Sequence, residues 1–233
     1  MFVVYLPVFW TQSVKKMLLE LNPISVPPGH KVVVQNVSWQ EFEDILAESG
    51  KHRAARIAYS KGILEIITLL PEHETNKLII TDFVEILLEG FNIEFYFLSS
   101  TTFKNELIET AIELDNCFYI ENEARVRGKN ELDLTIDPPP DLALEVEVAS
   151  RISRDIYAAL GVSELWHFDQ GKLQINVLQQ GKYVEMEFSP HFSDFPLQTV
   201  IPDYITQVKT VGRNKAKRSF RGWIRSLKYY LYS

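Results

Sequence analysis

Hydrophobic and polar residues alternate along the 233-residue chain with the periods of both helices and strands. The clearest helical pattern covers residues 71–90, PEHETNKLIITDFVEILLEG, where acidic residues begin the segment, a broad apolar stripe follows and glycine ends it. A shorter helix is predicted in residues 37–50, VSWQEFEDILAESG, with Ser38 as its N-cap and Gly50 after its last turn. A third helix is predicted over residues 154–161, RDIYAALG.

Alternation with a period of two predicts strands elsewhere in the chain. One hairpin is predicted over RIAYSKGILEIITL, and a second is predicted from LQINVLQ and YVEMEF. The other predicted strands lie at residues 93–99 (IEFYFLS), 117–122 (CFYIEN), 140–150 (PDLALEVEVAS) and 164–169 (ELWHFD). Together these elements predict a mixed α/β (α+β) fold, with one central mixed sheet flanked by helices and an added hairpin.

Composition suggests three parts: an N-terminal extension over residues 1–23, a folded domain over residues 24–205 and a basic C-terminal helix over residues 206–233. Eight Lys or Arg residues and no acidic residue lie from Lys209 to the end. Since the chain has 24 basic and 31 acidic residues, residues 1–208 hold the other 16 basic residues and all 31 acidic ones, a formal charge of −15. Charge is therefore strongly polarised along the chain.

The basic tail has two interpretations. Its cations suit contact with phosphate groups, and they equally suit a helix that packs its aromatic residues on the domain while its charges reach solvent. Packing is favoured for Phe220 and Trp223, because their spacing of three is helical.

Several classes of protein are disfavoured by composition. The single cysteine, Cys117, excludes an internal disulfide framework and predicts a reducing, cytoplasmic location, with the thiol packed in a strand. No apolar run approaches the ~18 residues that a membrane helix needs, so no membrane association is expected. The histidines lack zinc-ligand spacing, and neither a P-loop nor a Gly-x-Ser-x-Gly motif is present, so a nucleotide cofactor and serine hydrolysis have no support.

The strand PDLALEVEVAS carries the strongest chemical signal. Its apolar residues occupy one face, whereas Asp141, Glu145 and Glu147 share the other, where crowded carboxylates must be either solvated or held by a cation. Asp115 precedes the strand CFYI, and neighbouring strands would bring it close to Glu145 and Glu147. Converging carboxylate oxygens suit Mg²⁺ or Mn²⁺. The alternatives are the solvated face of an edge strand for the two glutamates and a turn cap after the prolines for Asp141.

Five segments together resemble the Uma-type putative restriction endonuclease family of the PD-(D/E)xK nuclease superfamily. They are LLPEHE at 69–74, SSTTFK at 99–104, LDNCFYIENEARVRGK at 114–129, DPPPDLALEVEVAS at 137–150 and YAALGVSELWHFD at 157–169. The resemblance implies a restriction-endonuclease-like core over residues 24–205, Mg²⁺-dependent (or Mn²⁺-dependent) hydrolysis of DNA and, commonly, a homodimer.

Matched to the family motif, Asp115 is the Asp of Pro-Asp and Glu145 is the acid of (D/E)xK. Leu114 stands in place of the proline, which shapes the chain without binding anything. Glu147 stands in place of the lysine that would orient the attacking water, so the resemblance leaves open whether Lys104 or Lys129 supplies this charge from a loop. The alternative function is a catalytically silent module with a DNA-binding or regulatory role.

Two further sets of residues are candidates for the site. Glu74 is an accessory metal ligand by the resemblance, whereas an acid in the first turn of a helix is also favourable for the helix dipole alone. Arg125, Arg127 and Lys129 are candidates for binding DNA phosphates, and the alternative is a solvated basic loop.

Overall fold

The computed structural model describes residues 3–5, 26–49, 55–129, 131–146 and 151–232. Its strands are β1 (Val3–Tyr5), β2 (Lys31–Gln35), β3 (Ala55–Ser60), β4 (Ile63–Thr68), β5 (Tyr96–Ser99), β6 (Thr102–Asn105), β7 (Thr110–Glu113), β8 (Asn116–Tyr119), β9 (Leu142–Val146), β10 (Glu164–Asp169), β11 (Lys172–Gln179) and β12 (Lys182–Met186). Its α-helices are α1 (Trp39–Ser49), α2 (Pro71–Phe91), α3 (Glu123–Val126), α4 (Arg151–Leu160), α5 (Leu197–Val211) and α6 (Arg213–Tyr232). A 3-10 turn covers Glu106–Ile108.

The chain forms two compact units, the first built from residues 1–71 and 102–113. Its sheet has the order β1-β2-β4-β3-β7-β6, in which β1 pairs parallel with β2 and the other neighbours pair antiparallel. Helix α1 contributes Phe42 and Ile45 to the core of this unit, and Phe42 stacks on Tyr59 at 4.7 Å between ring centroids. Ser38 and Glu41 cap the start of α1 reciprocally through backbone N–H groups.

The second unit contains residues 72–101 and 114–233. Its sheet has the order β12-β11-β10-β9-β8-β5, with β9 and β10 parallel and the other neighbours antiparallel. Apolar residues of β8, β9, β10 and β11 form one core with residues of α2, α5 and α6. The parallel pair follows from the chain order, because α4 lies between β9 and β10 and returns the chain to the same end of the sheet.

The predicted fold class is confirmed, since helices and strands mix in one chain and the helices at 37–50 and 71–90 and both hairpins are present. The prediction of a single central sheet is wrong, because the described residues form two sheets. Strands β2, β6 and β7 were not predicted. They are four or five residues long, and their sequences, KVVVQ, TFKN and TAIE, lack a clear alternation of apolar and polar residues.

The structure tests the predicted packing of Cys117, but it does not test the predicted division of the chain into three parts. Cys117 is fully buried, and burial raises the pKa of its thiol far above the ordinary range, as expected of a packed side chain. The division at residues 23 and 205 stays a prediction, and apart from β1, residues 1–25 lie outside the described residues. In the ranges that the structure covers, none of the helices has both the length and the apolar character to cross a bilayer.

Candidate functional site

Two of the predicted carboxylates meet where β8 begins and β9 ends. Asn116 pairs with Leu144 across these antiparallel strands, so Asp115, one residue earlier, lies opposite Glu145. The Asp115 side chain is buried, and its Oδ2 accepts a hydrogen bond from the backbone N–H of Val146 at 2.9 Å. The structure therefore brings Asp115 to the strand of Glu145, as the sequence predicted.

Glu145 is itself held in place by a helix. It is 6% exposed, and the hydroxyl of Tyr157, a fully buried residue of α4, donates a hydrogen bond to its Oε2. A buried carboxylate needs such a donor, because losing hydration without one is costly. Tyr157 was not recognised from the sequence, since only the packing of α4 brings it to β9.

Glu147, the third predicted ligand, lies outside the described residues. Within the ranges that are described, no group of three or more His, Cys, Asp or Glu side chains is placed to hold a metal ion. The donor set that is described comprises the carboxylates of Asp115 and Glu145, which are hard oxygen ligands of the kind that Mg²⁺ and Mn²⁺ take. The chemistry of these donors fits a hard divalent cation, and Glu147 would be the third carboxylate.

Asp141 has a structural role at the other end of β9. Its Oδ2 accepts the backbone N–H groups of Ile120 at 2.7 Å and Asn122 at 3.1 Å, and its Oδ1 accepts the side-chain amide of Asn122 at 2.9 Å. Asp141 thus secures the turn after β8, rather than the turn after the prolines. It does not join Asp115 and Glu145, because these lie where β8 begins.

His167 is a neighbour of Glu145 that the sequence did not reveal. Parallel pairing of β9 with β10 sets His167 beside Glu145, and the ring is 9% exposed. Its Nδ1 lies 3.3 Å from Oε1 of Gln174, and its buried Nε2 has no hydrogen-bond partner among the described residues. A histidine inside the otherwise apolar run LWHF was the only signal in the sequence, because neither strand's own sequence specifies the register of a parallel pair.

Glu74, the predicted accessory ligand, lies in the first turn of α2 and forms an ion pair with Lys77. Its carboxylate is 2.6 Å from the Lys77 ammonium, and the two side chains are 47% and 4% exposed, respectively. The i,i+3 spacing makes the pair local to the helix. Lys77 was not predicted, although a lysine within the apolar stripe NKLII was a visible exception to the pattern.

The two lysines suggested as replacements for the motif lysine are engaged with other acids. In the first unit, the Lys104 ammonium bonds both carboxylate oxygens of Glu43, at 3.0 and 2.8 Å. In the second unit, Lys129 bonds Asp137, and this bond is the main reason why the pKa of Asp137 lies below its ordinary value. Their catalytic roles stay predictions.

The predicted DNA-binding arginines follow the end of β8 that is opposite to Asp115. Arg127 forms a bidentate ion pair with Glu123, in which Nε donates to Oε1 and Nη2 donates to Oε2, each at 2.5 Å. This contact lowers the pKa of the Glu123 carboxyl. Arg125 is exposed, and its Nη1 lies 3.5 Å from Oδ1 of Asn122. The structure does not bring these arginines to the Asp115 and Glu145 carboxylates, because the length of β8 lies between them.

One comparison with known proteins identifies a family for this chain. Residues 39–209 match the model of the Uma2 family, described as putative restriction endonuclease. Among solved structures, the chain is similar to a putative nuclease from Anabaena variabilis, with 13% identity and a TM-score of 0.49 over 68% of this chain and 95% of that one. No curated protein matches.

Proposed function

Because the chain belongs to the Uma2 family of putative restriction endonucleases, we propose that it is a divalent-metal-dependent endonuclease that hydrolyses phosphodiester bonds in DNA. The observation that supports this most strongly is the hydrogen bond from Val146 to Asp115, which holds one buried carboxylate against the strand that carries another, Glu145. Like-charged side chains cost free energy when they are buried together, and a site for a cation explains their retention.

Each residue has a proposed role. Asp115, Glu145 and Glu147 would hold Mg²⁺ or Mn²⁺, and Glu74 is the proposed accessory ligand. When bound, the cation supplies charge neutralisation at the scissile phosphate and lowers the pKa of a water molecule. Val146 orients Asp115 through its N–H, and Tyr157 orients Glu145 through its hydroxyl.

The outer side of helix α6 is the proposed binding surface for the DNA backbone. Ala216, Phe220 and Ile224 are buried, and Phe220 and Ile224 belong to the core of the second unit, which confirms the predicted packing of Phe220. Three exposed cations of α6 form no ion pair with an acid among the described residues, and they follow a helical spacing on the outer side of the helix. They are Lys215, Arg218 and Arg225.

The start of α6 lies beside the middle of α2. Arg213 Nε is 2.5 Å and Lys217 Nζ is 2.7 Å from the carboxylate of Asp82, and Arg213 Nη2 donates to the Leu78 carbonyl at 3.4 Å. Since Asn116 donates to Thr81 beside Asp82 at 2.6 Å, the basic helix begins on the same half of α2 as the start of β8. Phosphates bound at the start of α6 would therefore be nearest to the candidate site, because the rest of α6 runs along α2 towards Glu89 and Gly90.

Arg125, Arg127 and Lys129 are proposed as a second group of phosphate contacts, at the other end of β8. Arg125 is the most suitable of the three, because Arg127 and Lys129 already bind Glu123 and Asp137. Binding of this kind is independent of sequence and weakens as salt rises.

A silent DNA-binding or regulatory module is the second candidate function. The observation that favours it is the Tyr157 hydroxyl on Glu145, which satisfies the buried carboxylate from within the protein. The lack of a lysine two residues after Glu145 also favours a silent module.

One experiment separates the two functions. The chain would be freed of metal with EDTA, and its melting temperature and its cleavage of supercoiled plasmid would be measured on addition of Mg²⁺ and of Mn²⁺. An endonuclease of this kind gains thermal stability from the cation and converts the plasmid to nicked or linear forms. A silent module binds the plasmid without either response.

A further inference from the structure

The strand that holds Glu145 lacks the lysine of the family motif, and Lys77 on α2 lies at the same end of the second unit. We propose that Lys77 is a catalytic residue that supplies the missing positive charge to the phosphate and the attacking water, an assignment that rests on the proposed endonuclease function. Four observations support it: the direction of α2, the helical phase of Lys77, its burial and its ion pair.

The direction of α2 follows from the positions of its middle and its C-terminal end relative to β8. Near its middle, the Thr81 hydroxyl oxygen accepts a hydrogen bond from the Asn116 amide at 2.6 Å, which ties the helix to the first residue of β8. After Phe91 the chain enters β5, whose Tyr96 pairs with Tyr119, the last residue of β8. Helix α2 thus runs beside β8 in the same direction, and the residues before Thr81 lie towards Asp115.

Because of its position along α2, Lys77 lies on the face of this helix that contacts β8. Lys77 and Thr81 are four residues apart, and the Thr81 hydroxyl donates to the Lys77 carbonyl at 2.8 Å. Residues four apart lie above one another on a helix, about 6 Å along its axis. Since Thr81 contacts Asn116, Lys77 lies one turn further towards the end of the sheet where Asp115 and Glu145 meet.

Burial of Lys77 is unusual for a lysine without a function. Its side chain is 4% exposed, although a lysine ammonium is strongly hydrated and rarely buried unless it is paired. Its position in the second turn of α2 gains nothing from the helix dipole, which favours acids there. Its printed ion pair, with the half-exposed Glu74, is local to the helix, and a cation at this end of the second unit has a chemical use close to the Asp115 and Glu145 carboxylates.

The ion pair with Glu74 leaves donor capacity on Lys77. An ammonium group has three N–H donors, and Glu74, whose side chain is 47% exposed, is its one ion-pair partner among the described residues. The remaining donors suit a phosphate oxygen and a water molecule. Glu74, the proposed accessory ligand, would also orient the ammonium through this ion pair.

Lys77 keeps its proton in the proposed step. Its N–H groups donate to a non-bridging oxygen of the scissile phosphate and to the attacking water. The water oxygen bonds to phosphorus as the bond from phosphorus to the leaving oxygen breaks. One water proton passes to solvent, and the leaving oxygen takes a proton from solvent, so charge and atoms balance.

The test compares Lys77→Met and Lys77→Gln with Lys77→Arg in the full chain. Cleavage of supercoiled plasmid with Mg²⁺ or Mn²⁺ should fall about 10²-fold or more in the Met and Gln variants, as for loss of one transition-state donor. The Arg variant should recover much of the rate, because it keeps the charge. Lys182→Met, on the exposed β11–β12 hairpin, is the control and should cleave like the wild type.

Two further readouts distinguish catalysis from structure. The rise in melting temperature that Mg²⁺ or Mn²⁺ produces should be kept in the Met and Gln variants, because Lys77 does not bind the cation. Plasmid affinity in Ca²⁺ should change less than about 3-fold, because one of several phosphate contacts is lost. A variant that melts lower than the wild type would be assayed at a temperature where both are folded.

Each outcome decides the assignment. An active wild type with Lys77→Met at the same rate overturns the role of Lys77 and leaves the endonuclease function standing, as does a loss of cleavage in Lys129→Met instead. A wild type that cleaves no DNA with either cation overturns the proposed function, and the role of Lys77 falls with it.

Discussion

The backbone N–H of Val146, the last residue of β9, donates a hydrogen bond at 2.9 Å to the carboxylate of Asp115, the residue directly before β8. This hydrogen bond has a structural role and a chemical role. It fixes the start of β8 against the end of β9, and it aims a carboxylate at the strand that carries Glu145.

Substitutions of Asp115 separate the structural role of this hydrogen bond from its chemical role. Asp115→Asn keeps an oxygen that accepts the Val146 N–H, so the free energy of unfolding in EDTA should change little. Asp115→Ala removes the charged hydrogen bond and should cost roughly 1.5–3 kcal/mol. Both variants should lose the thermal stabilisation by Mg²⁺ or Mn²⁺. Urea unfolding in EDTA and melting with the cation measure the two effects, and an Asn variant that still responds fully to the cation would remove Asp115 from the site.

The parts of this arrangement that are local in sequence were predictable. The helix over residues 71–90 has its own apolar stripe and end signals, and the alternation in PDLALEVEVAS identifies a strand that carries acids. The meeting of Asp115 with the Glu145 strand was expected because the two residues match the two acids of the family motif. The resemblance, and not a local pattern, therefore predicted the pair of carboxylates.

The parts that depend on tertiary packing were not predictable. Tyr157 reaches Glu145 only because α4 packs over β9, and His167 is beside Glu145 only in one register of a parallel pair. The second sheet depends on the pairing of short strands that are distant in the chain, such as β3 with β7. No local pattern encodes a choice of partner between distant segments.

A pH-dependent contribution to stability is expected from His191. Burial acts to lower the pKa of His191, but its Nδ1 lies 2.6 Å from Oε2 of Glu164, and the charges of Glu164, Asp141 and Glu121 outweigh burial and raise the pKa above 6.5. A histidine with a raised pKa stabilises the fold fully below 6.5, and this contribution is lost as the pH rises through the raised value.

NMR titration of the His191 ring tests this expectation. The midpoint should lie above 6.5 in the wild type and move down in Glu164→Gln, which removes the negative charge but keeps an acceptor. The free energy of unfolding should fall as the pH rises above 6.5, and His191→Gln should reduce that fall. A midpoint below 6.5 would show that burial dominates.

Exposed cations of α6 should set the salt dependence of DNA binding. The triple substitution of Lys215, Arg218 and Arg225 by Gln should weaken binding to duplex DNA and lower the slope of log K against log salt by up to about 0.9 for each lost phosphate contact. Fluorescence anisotropy over a range of NaCl concentrations measures the slope.

The control for α6 is a pair of exposed lysines on the β11–β12 hairpin, Lys172→Gln with Lys182→Gln. A slope that falls equally in both sets would assign the effect to net charge, and an unchanged slope in the triple variant would remove α6 from DNA binding. Truncation after Arg213 is unsuitable, because it removes Phe220 and Ile224 from the core and should unfold the second unit.

Assembly as a homodimer is the prediction that follows from cleavage of both DNA strands. Two active sites are needed for a double-strand break, and a two-fold interface between copies of the chain would supply them. Light scattering coupled to size exclusion should give about twice the mass of 27.0 kDa. A monomer that still linearises plasmid in single encounters would refute this prediction.

The central claim is that the acids on β9 bind a catalytic cation, and Glu145→Gln tests it most directly. Glutamine keeps the size of glutamate and an oxygen for the Tyr157 hydroxyl, but it removes the charge that attracts the cation. Without metal, the variant should be as stable as the wild type or slightly more so, because repulsion with Asp115 is relieved. Glu187→Gln, an exposed change after β12, is the matched control.

The decisive measurement is the melting temperature of the wild type, Glu145→Gln and Glu187→Gln in EDTA and in Mg²⁺ or Mn²⁺, with plasmid cleavage assayed in parallel. The wild type and the control should gain stability from the cation and cleave, whereas Glu145→Gln should do neither. The contrary result is a Glu145→Gln variant that is destabilised in EDTA by ~3–5 kcal/mol, as when one partner of a buried ion pair is removed. That result would show that Glu145 holds the fold together and does not bind a metal.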